Sequence, residues 1–314
     1  MKMKNVGWVL ALTAVLLFIG MTPAQTAFAA DGDWSSVVQQ IGAKGKVDWS
    51  TGVIEATGTG APPEKYYGKP QARPMALRAA QLDAYRNLLE VVEGVQINSR
   101  TTIKDYSTES DEIRSQVSGM VKGAVVVKRE YLSDGTVEVT VRMPMQGGFS
   151  QLILPQTIRQ IEPVTQVDKP QAGNTPDTPA VTPETMAPPA AGQPVTPVAT
   201  SDVFTGLVVD ARTIQARPAM APKIVDEDGK EVYGSGFVSR EYAVQQGMSG
   251  YAKDLTAAQA NARVTNSPLT VKGLRTDGPG KCDIVISRAD AAKIRGASDN
   301  LSFLKKCRVM IVLD

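Results

Sequence analysis

The most constraining feature of this 314-residue chain is an apolar periodicity between Pro74 and Gly94. Apolar side chains recur there every three or four residues, which predicts an amphipathic helix of about five turns. Proline suits the first helical turn, where no backbone N–H is needed, and glycine suits a left-handed residue just beyond the end. Alanines in the early turns would let a sheet approach closely. The predicted packing face consists of Met75, Ala79, Leu82, Tyr85, Leu89 and Val92.

The segments around this helix predict the rest of an α+β domain at residues 30–150. Residues 46–58 and 123–143 alternate apolar and polar side chains about central turns, which is typical of β-hairpins. A shorter strand is predicted at 95–103, and a second helix at 110–120 begins with a serine cap. Helices packed against one face of an antiparallel sheet would accommodate this order of elements.

The composition changes at residues 151–202, where we predict a linker. Nine of the chain's 20 prolines lie between Pro163 and Pro197, with threonine, alanine and valine between them. Such a segment favours extended polyproline II conformations and buries too little apolar surface to fold alone.

A second α+β domain is predicted at residues 203–314. A helical pattern between two strand-like runs implies one parallel crossover, so we expect a mixed sheet. The strands are predicted at 206–210, 269–274, 283–286 and 307–313, with a hairpin at 223–233 and helices at 255–264 and 287–295. The predicted fold is therefore two small α+β domains with antiparallel or mixed sheets and packed helices, joined by a Pro-rich linker.

Residues 1–29 have the pattern of a secretory signal peptide. Lys2 and Lys4 precede an apolar run at 6–19, and small residues precede a cleavage point between Ala29 and Ala30. The apolar run is too short for a membrane span. Removing two of the 34 basic residues leaves as many cations as the 32 acidic residues. A neutral chain without a basic stripe has no electrostatic basis for binding nucleic acid.

Two cysteines and the absence of histidine limit the chemistry of this chain. In an exported protein, Cys282 and Cys307 are expected to form one disulfide. Without histidine there is no Ser-His-Asp triad, no histidine base and no histidine metal ligand. We therefore predict no catalytic, cofactor-binding or metal-binding residues.

Three kinds of short motif resemble known sites but fit simpler structures better. Residues 226–229 (Asp-Glu-Asp-Gly) resemble the start of a calcium loop, but the later bidentate glutamate is missing, so a hairpin turn is expected. Residues 57–60 and 234–236 are rich in glycine without the Gly-Lys-Ser/Thr of a phosphate loop. Residues 298–305 resemble two signatures of penicillin-recognising serine enzymes, but in reverse order and without Lys-Thr-Gly, so a helix start is expected.

The long helix and its surroundings resemble a known family. Residues 79–90 (AAQLDAYRNLLE), 92–95 (VEGV) and 119–124 (GMVKGA) are similar to the Lpp-twenty lipoprotein family, which is related to the N-terminal domain of flagellar assembly protein T and to flagellar protein P. The resemblance covers about residues 45–145. It implies an envelope protein, often at the outer membrane and sometimes assembled into rings around the flagellar basal body, without catalytic residues. Many relatives carry a lipidated cysteine at the signal cleavage site, and this chain has none there.

The sequence thus predicts a non-enzymatic exported scaffold or assembly protein of the periplasm, and the family resemblance adds flagellar association as one option. Its expected partners are further copies of itself or an envelope or flagellar protein, with peripheral outer-membrane association but no lipid anchor. An alternative is a small-ligand or glycan-binding module in the second domain, suggested by aromatic residues around a glycine-rich stretch at 234–250. These residues are Tyr233, Phe237, Tyr242 and Tyr251. The third hypothesis, a carboxylate-based hydrolase, would use Glu90, Glu93, Asp226 and Asp228.

Overall fold

An antiparallel sheet of five strands forms the first lobe, which comprises residues 36–158. The computed structural model describes residues 36–156, 158, 204–298 and 303–314. The strands are β1 (Val38–Ile41), β2 (Gly45–Asp48), β3 (Val53–Gly60), β4 (Val125–Tyr131) and β5 (Val137–Pro144). Their order in the sheet is β1-β2-β3-β5-β4. The predicted hairpins are confirmed as β2–β3 and β4–β5, whereas β1 was not predicted.

Several sequence predictions fall outside the described residues. They include the signal peptide with its cleavage point between Ala29 and Ala30, and the linker beyond Ile158. These predictions stay untested. Residues 299–302, half of the serine-enzyme-like stretch, also lie outside the described residues, but the expected helix start at Ser298 was wrong, because Ser298 is the last residue of the helix Arg288–Ser298.

Four helices accompany the first sheet. They are α1 (Ala72–Glu93), α2 (Ile103–Thr108), α3 (Asp111–Lys122) and α4 (Gly148–Ile153). The side chain of Ser110 accepts the N–H of Ile113 and caps α3, as predicted. Thr102 and Asp105 form a reciprocal capping box at the start of α2. In the described part of the chain, no helix is both long and apolar enough to cross a membrane.

The prediction of the packing face of α1 was wrong by about one position along the helix. Leu82 is 60% exposed, Tyr85 and Leu89 are half-buried, and only Val92 of the four main predicted packing residues is buried. The residues that face the sheet are instead Ala76, Ala80, Ala84, Leu88 and Val91. This face is narrower because α1 approaches the backbone of β3, as the early alanines had suggested.

Glycines in β3 permit the close approach of α1. A Cβ atom on Gly58 would lie 2.0 Å from the backbone nitrogen of Ala84 and 2.5 Å from the carbonyl oxygen of Ala80. On Gly60 it would lie 2.4 Å from the carbonyl oxygen of Ala76. The glycine-rich motif at 57–60 is therefore a packing feature of β3.

Gly94 ends α1, but it is not left-handed as predicted. Its φ is −79°, in the right-handed region. A Cβ atom there would lie 2.6 Å from Cγ2 of Ile41. Glycine is therefore needed for space against β1 rather than for an unusual backbone conformation.

Residues 95–102 form a loop rather than the predicted strand. Val95, Ile97 and Ser99 are buried alternately, but the loop contains only an isolated bridge between Gln96 and Thr102. The predicted alternation of buried and more exposed side chains is therefore confirmed, whereas the predicted strand conformation was wrong. Instead of joining a sheet ladder, the carbonyl oxygens of Gln96 and Ile97 accept the N–H groups of Met220 and Ala221 in the second lobe.

The second lobe, residues 204–314, contains a mixed seven-stranded sheet. Its strands are β6 (Gly206–Asp210), β7 (Ile224–Asp226), β8 (Glu231–Tyr233), β9 (Gly250–Ala252), β10 (Pro268–Asp277), β11 (Asp283–Ile286) and β12 (Val309–Val312). Their order is β8-β7-β11-β10-β6-β12-β9. Strand β6 runs parallel to both β10 and β12, and β10 pairs antiparallel with β11, which confirms the predicted mixed sheet. The α+β class is thus confirmed for both lobes.

Three helices connect these strands. They are α5 (Arg240–Gln246), α6 (Leu255–Gln259) and α7 (Arg288–Ser298). Helix α7 begins after Ser287, as predicted. The predicted helix at 255–264 is confirmed only over its first part, and both α5 and β9 were missed. Both missed elements are short, and the stretch that contains them is rich in glycine.

The two lobes pack against each other and share one hydrophobic core cluster. Trp49 of the first lobe meets Tyr251 of the second edge to face, with ring centroids 5.6 Å apart. Arg240 on α5 donates to the carbonyl oxygens of Gln151 in α4 (2.7 Å) and of Pro155 just after that helix (3.1 Å). These contacts join into one compact unit two regions that the predicted linker separates in the sequence. The domain boundaries at 150 and 203 stay predictions.

The predicted disulfide is absent, because Cys282 and Cys307 are both free and buried. Cys282 immediately precedes β11 and Cys307 lies two residues before β12, and these strands are separated by β10 and β6. They also run in opposite directions, so the two cysteines lie at opposite ends of the sheet. Three strand spacings alone amount to about 14 Å, well beyond the reach of a disulfide.

We expect the two buried thiols to destabilise the protein at alkaline pH. Burial raises the pKa of Cys282 to about 12 and that of Cys307 to about 11, from an ordinary value of 9.0. Above pH 9 the unfolded chain therefore releases protons that the folded protein retains. The free energy of unfolding should fall by about 1.4 kcal/mol per thiol at pH 10.

Urea unfolding at pH 8 and pH 10 would measure this loss. Cys282→Ala and Cys307→Ala should each reduce the difference in the free energy of unfolding between pH 8 and pH 10 by the contribution of one thiol. Thiol titration of the denatured protein should find two free groups. A finding of none would contradict the structure and restore the disulfide.

Candidate interaction surface

Strand β4 is an edge of the five-stranded sheet, and it exposes apolar side chains. Val125 is 65% exposed and Val127 is 44% exposed. Helix α1 packs on β2, β3 and β5, so β4 lies beyond its cover. We call the stretch from Val125 to Tyr131 the β4 edge. Exposed apolar side chains on an edge strand are a feature of strands that pair or dock.

The β4 edge also carries features that limit continuous strand pairing. The register with β5 shifts between Val126 and Lys128, so Val127 lies in a bulge. Lys128 forms an ion pair with Glu130 on the same strand at 2.8 Å. A bulge and central charges shorten the ladder that another strand could form. Docking at this edge would therefore centre on the side chains of Val125 and Val127.

The open face of the same sheet forms a polar trough of about 810 Å³. At its centre Glu55 accepts a hydrogen bond from Nε of Arg142 (2.6 Å) and pairs with Nζ of Lys46 (3.2 Å). Partial burial opposes ionisation of Glu55, but hydrogen bonds from Arg142 and Lys46 hold its pKa below the usual range. Two further cations of the lining, Lys44 and Lys128, also pair with carboxylates. The charges of the trough thus compensate one another.

Residues 62–73 and the turn after β4 form a second exposed surface, which sequence reasoning missed. Gly135 in the turn lies against Pro62, since a Cβ atom on Gly135 would be 3.6 Å from Cγ of Pro62. This contact holds the two segments side by side. We call the surface the basic tyrosine patch, and it consists of Lys65, Tyr66, Tyr67, Lys69, Arg73, Tyr131 and Leu132. The available signal was the run of basic and aromatic residues that precedes α1.

Cations lie over aromatic rings in the basic tyrosine patch. The Nζ atoms of Lys65 and Lys69 are 5.1 and 5.6 Å from the ring centroid of Tyr66. The guanidinium carbon of Arg73 is 5.7 Å from the ring centroid of Tyr131. Exposed contacts of this kind contribute about 0.5–1 kcal/mol each and hold rings and cations together.

The aromatic residues that suggested a glycan site do not form a platform. Tyr233 is fully buried and donates to the carbonyl oxygen of Met248. Tyr251 is also buried, and Tyr242 is half-buried. Of the four, only Phe237 is exposed, at 41%. Three of the four side chains therefore contribute to packing rather than to an open surface.

The candidate carboxylates are split between the lobes. Glu90 and Glu93 lie on α1, whereas Asp226 and Asp228 lie at the β7–β8 turn. Arg295 hydrogen-bonds to Asp226 at 2.7 Å and lowers the pKa of that carboxyl, which also accepts backbone N–H groups of the turn. The Asp-Glu-Asp-Gly stretch is therefore a hairpin turn, as expected. Among the residues described, no cluster of three or more acidic or cysteine side chains could hold a metal ion.

Comparison with known families finds a relative of the second lobe. A family model described as Treponema pallidum Tp0624, second domain, matches residues 206–314. The match begins at the first residue of β6 and runs to Asp314, which is about a third of the chain. No curated protein sequence matches this chain significantly. The second lobe is thus similar to that Treponema domain.

Proposed function

We propose that this chain is an exported, non-enzymatic assembly protein of the cell envelope that docks to a second copy of itself. The observation that carries the proposal is the β4 edge, where Val125 and Val127 are exposed on a strand that α1 does not cover. Burying these two side chains in a contact between copies would remove apolar surface from water. The packing of the two lobes into one compact unit would help to orient each docked copy.

The place of this assembly is the periplasm in our proposal. It is supported by the signal-peptide pattern of residues 1–29 and by the resemblance of residues 45–145 to the Lpp-twenty lipoprotein family. The flagellar relatives of that family make a flagellar or other envelope protein the natural further partner. Peripheral association with the outer membrane, without a lipid anchor, belongs to the same proposal.

A non-enzymatic role agrees with the state of the acidic side chains. The chain has no histidine. Of the four carboxylates that the hydrolase hypothesis would use, Asp226 and Asp228 are paired with cations, and Glu90 and Glu93 lie on α1 in the other lobe. The alternative, a glycan-binding module in the second lobe, gains no support from its largely buried aromatic residues.

Self-association can be tested by light scattering coupled to size-exclusion chromatography of the mature protein. The wild type should exceed the monomer mass at high concentration. The double variant Val125→Lys/Val127→Lys should weaken self-association about 100-fold, because two apolar contacts are replaced by like charges. Leu274→Lys is a matched control, since Leu274 is 47% exposed on β10 of the other lobe.

The control should associate like the wild type. A wild-type protein that stays monomeric at high concentration would overturn the proposal. So would a double variant that associates as strongly as Leu274→Lys.

A further inference from the structure

The cations of the basic tyrosine patch differ from most others on the first sheet. In the trough, Lys44, Lys46, Lys128 and Arg142 each face a carboxylate. Lys65, Lys69 and Arg73 form no ion pair with any described residue. Their charges are therefore available to an anionic partner.

The nearby carboxylates do not cancel these charges. Glu64 adjoins the patch, and Asp134 is turned into its own hairpin, where it accepts the N–H and the hydroxyl of Thr136. Arg129, two residues before Tyr131 on β4, adds a fourth exposed cation. Four cations against two carboxylates leave this surface positive, although the whole chain has a net charge of only +2.

Apolar and amphipathic side chains project among these cations. Tyr67 is 56% exposed, Tyr131 is 53% exposed and Leu132 is 48% exposed. Tyrosine has an apolar ring and a polar hydroxyl, which suits the boundary between lipid headgroups and acyl chains. Lysine and arginine beside such rings would meet the phosphates of the headgroups.

We propose that the basic tyrosine patch binds the surface of an anionic lipid membrane. Lys65, Lys69 and Arg73 pair with lipid phosphates, while Tyr67 and Leu132 enter the headgroup layer. The Arg73–Tyr131 contact fixes one cation beside an exposed ring before binding. The patch shares Tyr131 with the β4 edge, but it lacks Val125 and Val127, which carry the proposal of self-association. A monomeric chain would bind more weakly through loss of avidity, but through the same residues.

Vesicle co-sedimentation of the mature protein tests this proposal. Vesicles of phosphatidylcholine with about 30% phosphatidylglycerol should retain the protein at low salt and release it at high salt, since exposed charges are screened. Vesicles of phosphatidylcholine alone should retain little. Lys65→Gln/Lys69→Gln/Arg73→Gln should reduce binding about 100-fold, as each cation contributes near an anionic surface. The triple variant should melt like the wild type.

A matched control removes three exposed cations from the second lobe, in Lys253→Gln/Lys272→Gln/Arg275→Gln. It makes the same change in net charge and should bind like the wild type. Tyr67→Ser/Leu132→Ser should weaken binding while leaving its salt dependence unchanged. Inorganic phosphate at 10 mM should not displace the protein, whereas displacement would identify a free-anion site instead.

Three results would overturn the proposal. The first is equal binding to neutral and anionic vesicles, and the second is equal loss of binding in both triple variants. The third is no binding to anionic vesicles at low salt. The valine variant distinguishes the two proposals, because loss of self-association should leave the lipid-binding residues in place.

Discussion

Replacing Gly58 with alanine should destabilise this protein by about 4 kcal/mol or more, close to the whole stability of many domains. The added Cβ would lie 2.0 Å from the backbone nitrogen and 2.5 Å from the Cα of Ala84. These are backbone atoms of α1, so no side-chain rotation relieves the overlap. The helix would have to move away from β3, which would open the core along the alanine face.

Gly119→Ala is the matched control for this substitution. Gly119 is exposed within α3, and a Cβ atom there would meet nothing within 4 Å. Alanine should stabilise the helix at this position by about 0.5–1 kcal/mol. Urea unfolding followed by circular dichroism measures both changes. If Gly58→Ala unfolded at the wild-type midpoint, the contact between β3 and α1 would not be the close packing described above.

The same contact explains why the face of α1 was misread from the sequence. A hydrophobic periodicity identifies a helix, but the largest apolar residues need not lie against the sheet. Here Gly58 and Gly60 alternate on β3 opposite the alanines of α1, and the backbones meet. The small residues were visible in both segments. The role of these small residues follows only from the packing of α1 on β3. That packing is a tertiary contact, which the sequence pattern of either segment does not reveal.

Short-range patterns predicted the hairpins and the serine caps at Ser110 and Ser287, because each depends on neighbouring residues, and the order strand, helix, strand predicted the mixed sheet. The loop at 95–102 has the alternation of a strand, since alternation reports burial and not the partners of the backbone. Whether Cys282 and Cys307 can form a disulfide depends on the positions and directions of β11 and β12 in the sheet, which the sequence pattern does not give. In the same way, the hairpin containing β4 was predictable, but its position at the edge of the sheet was not.

The candidate surfaces depend on that sheet order as well. The exposure of Val125 and Val127 follows from β4 having only one neighbour in the described sheet. The basic tyrosine patch requires residues 62–73 to meet the β4–β5 turn, which lies some 60 residues further along the chain. Sequence reasoning could identify basic and aromatic residues in one segment. It could not join them to Tyr131 and Leu132.

Ser99→Ala should destabilise the protein by about 3–4 kcal/mol, because this buried side chain joins the two lobes. Ser99 is 2% exposed, and its Oγ accepts the backbone N–H groups of Cys282 (3.1 Å) and Asp283 (2.9 Å). The hydroxyl also donates to the carbonyl oxygen of Asp277 (3.1 Å). Alanine would leave the buried N–H of Cys282, the partly buried N–H of Asp283 and the carbonyl oxygen of Asp277 without this partner. Each such loss costs about 1–3 kcal/mol where the group is shielded from water.

Ser107→Ala is the matched control for Ser99→Ala. It removes a buried hydroxyl without breaking hydrogen bonds, so it shows the effect of removing the hydroxyl alone. Ser107 is 5% exposed in the first lobe, and its Oγ has no hydrogen-bond partner among the described residues. Its replacement by alanine should therefore be neutral or slightly stabilising. Urea unfolding with equal slopes would give both free-energy changes. Equal stability of the two variants would mean that Ser99 does not hold the lobes together, and the compact unit on which the docking proposal relies would lose one of its polar contacts.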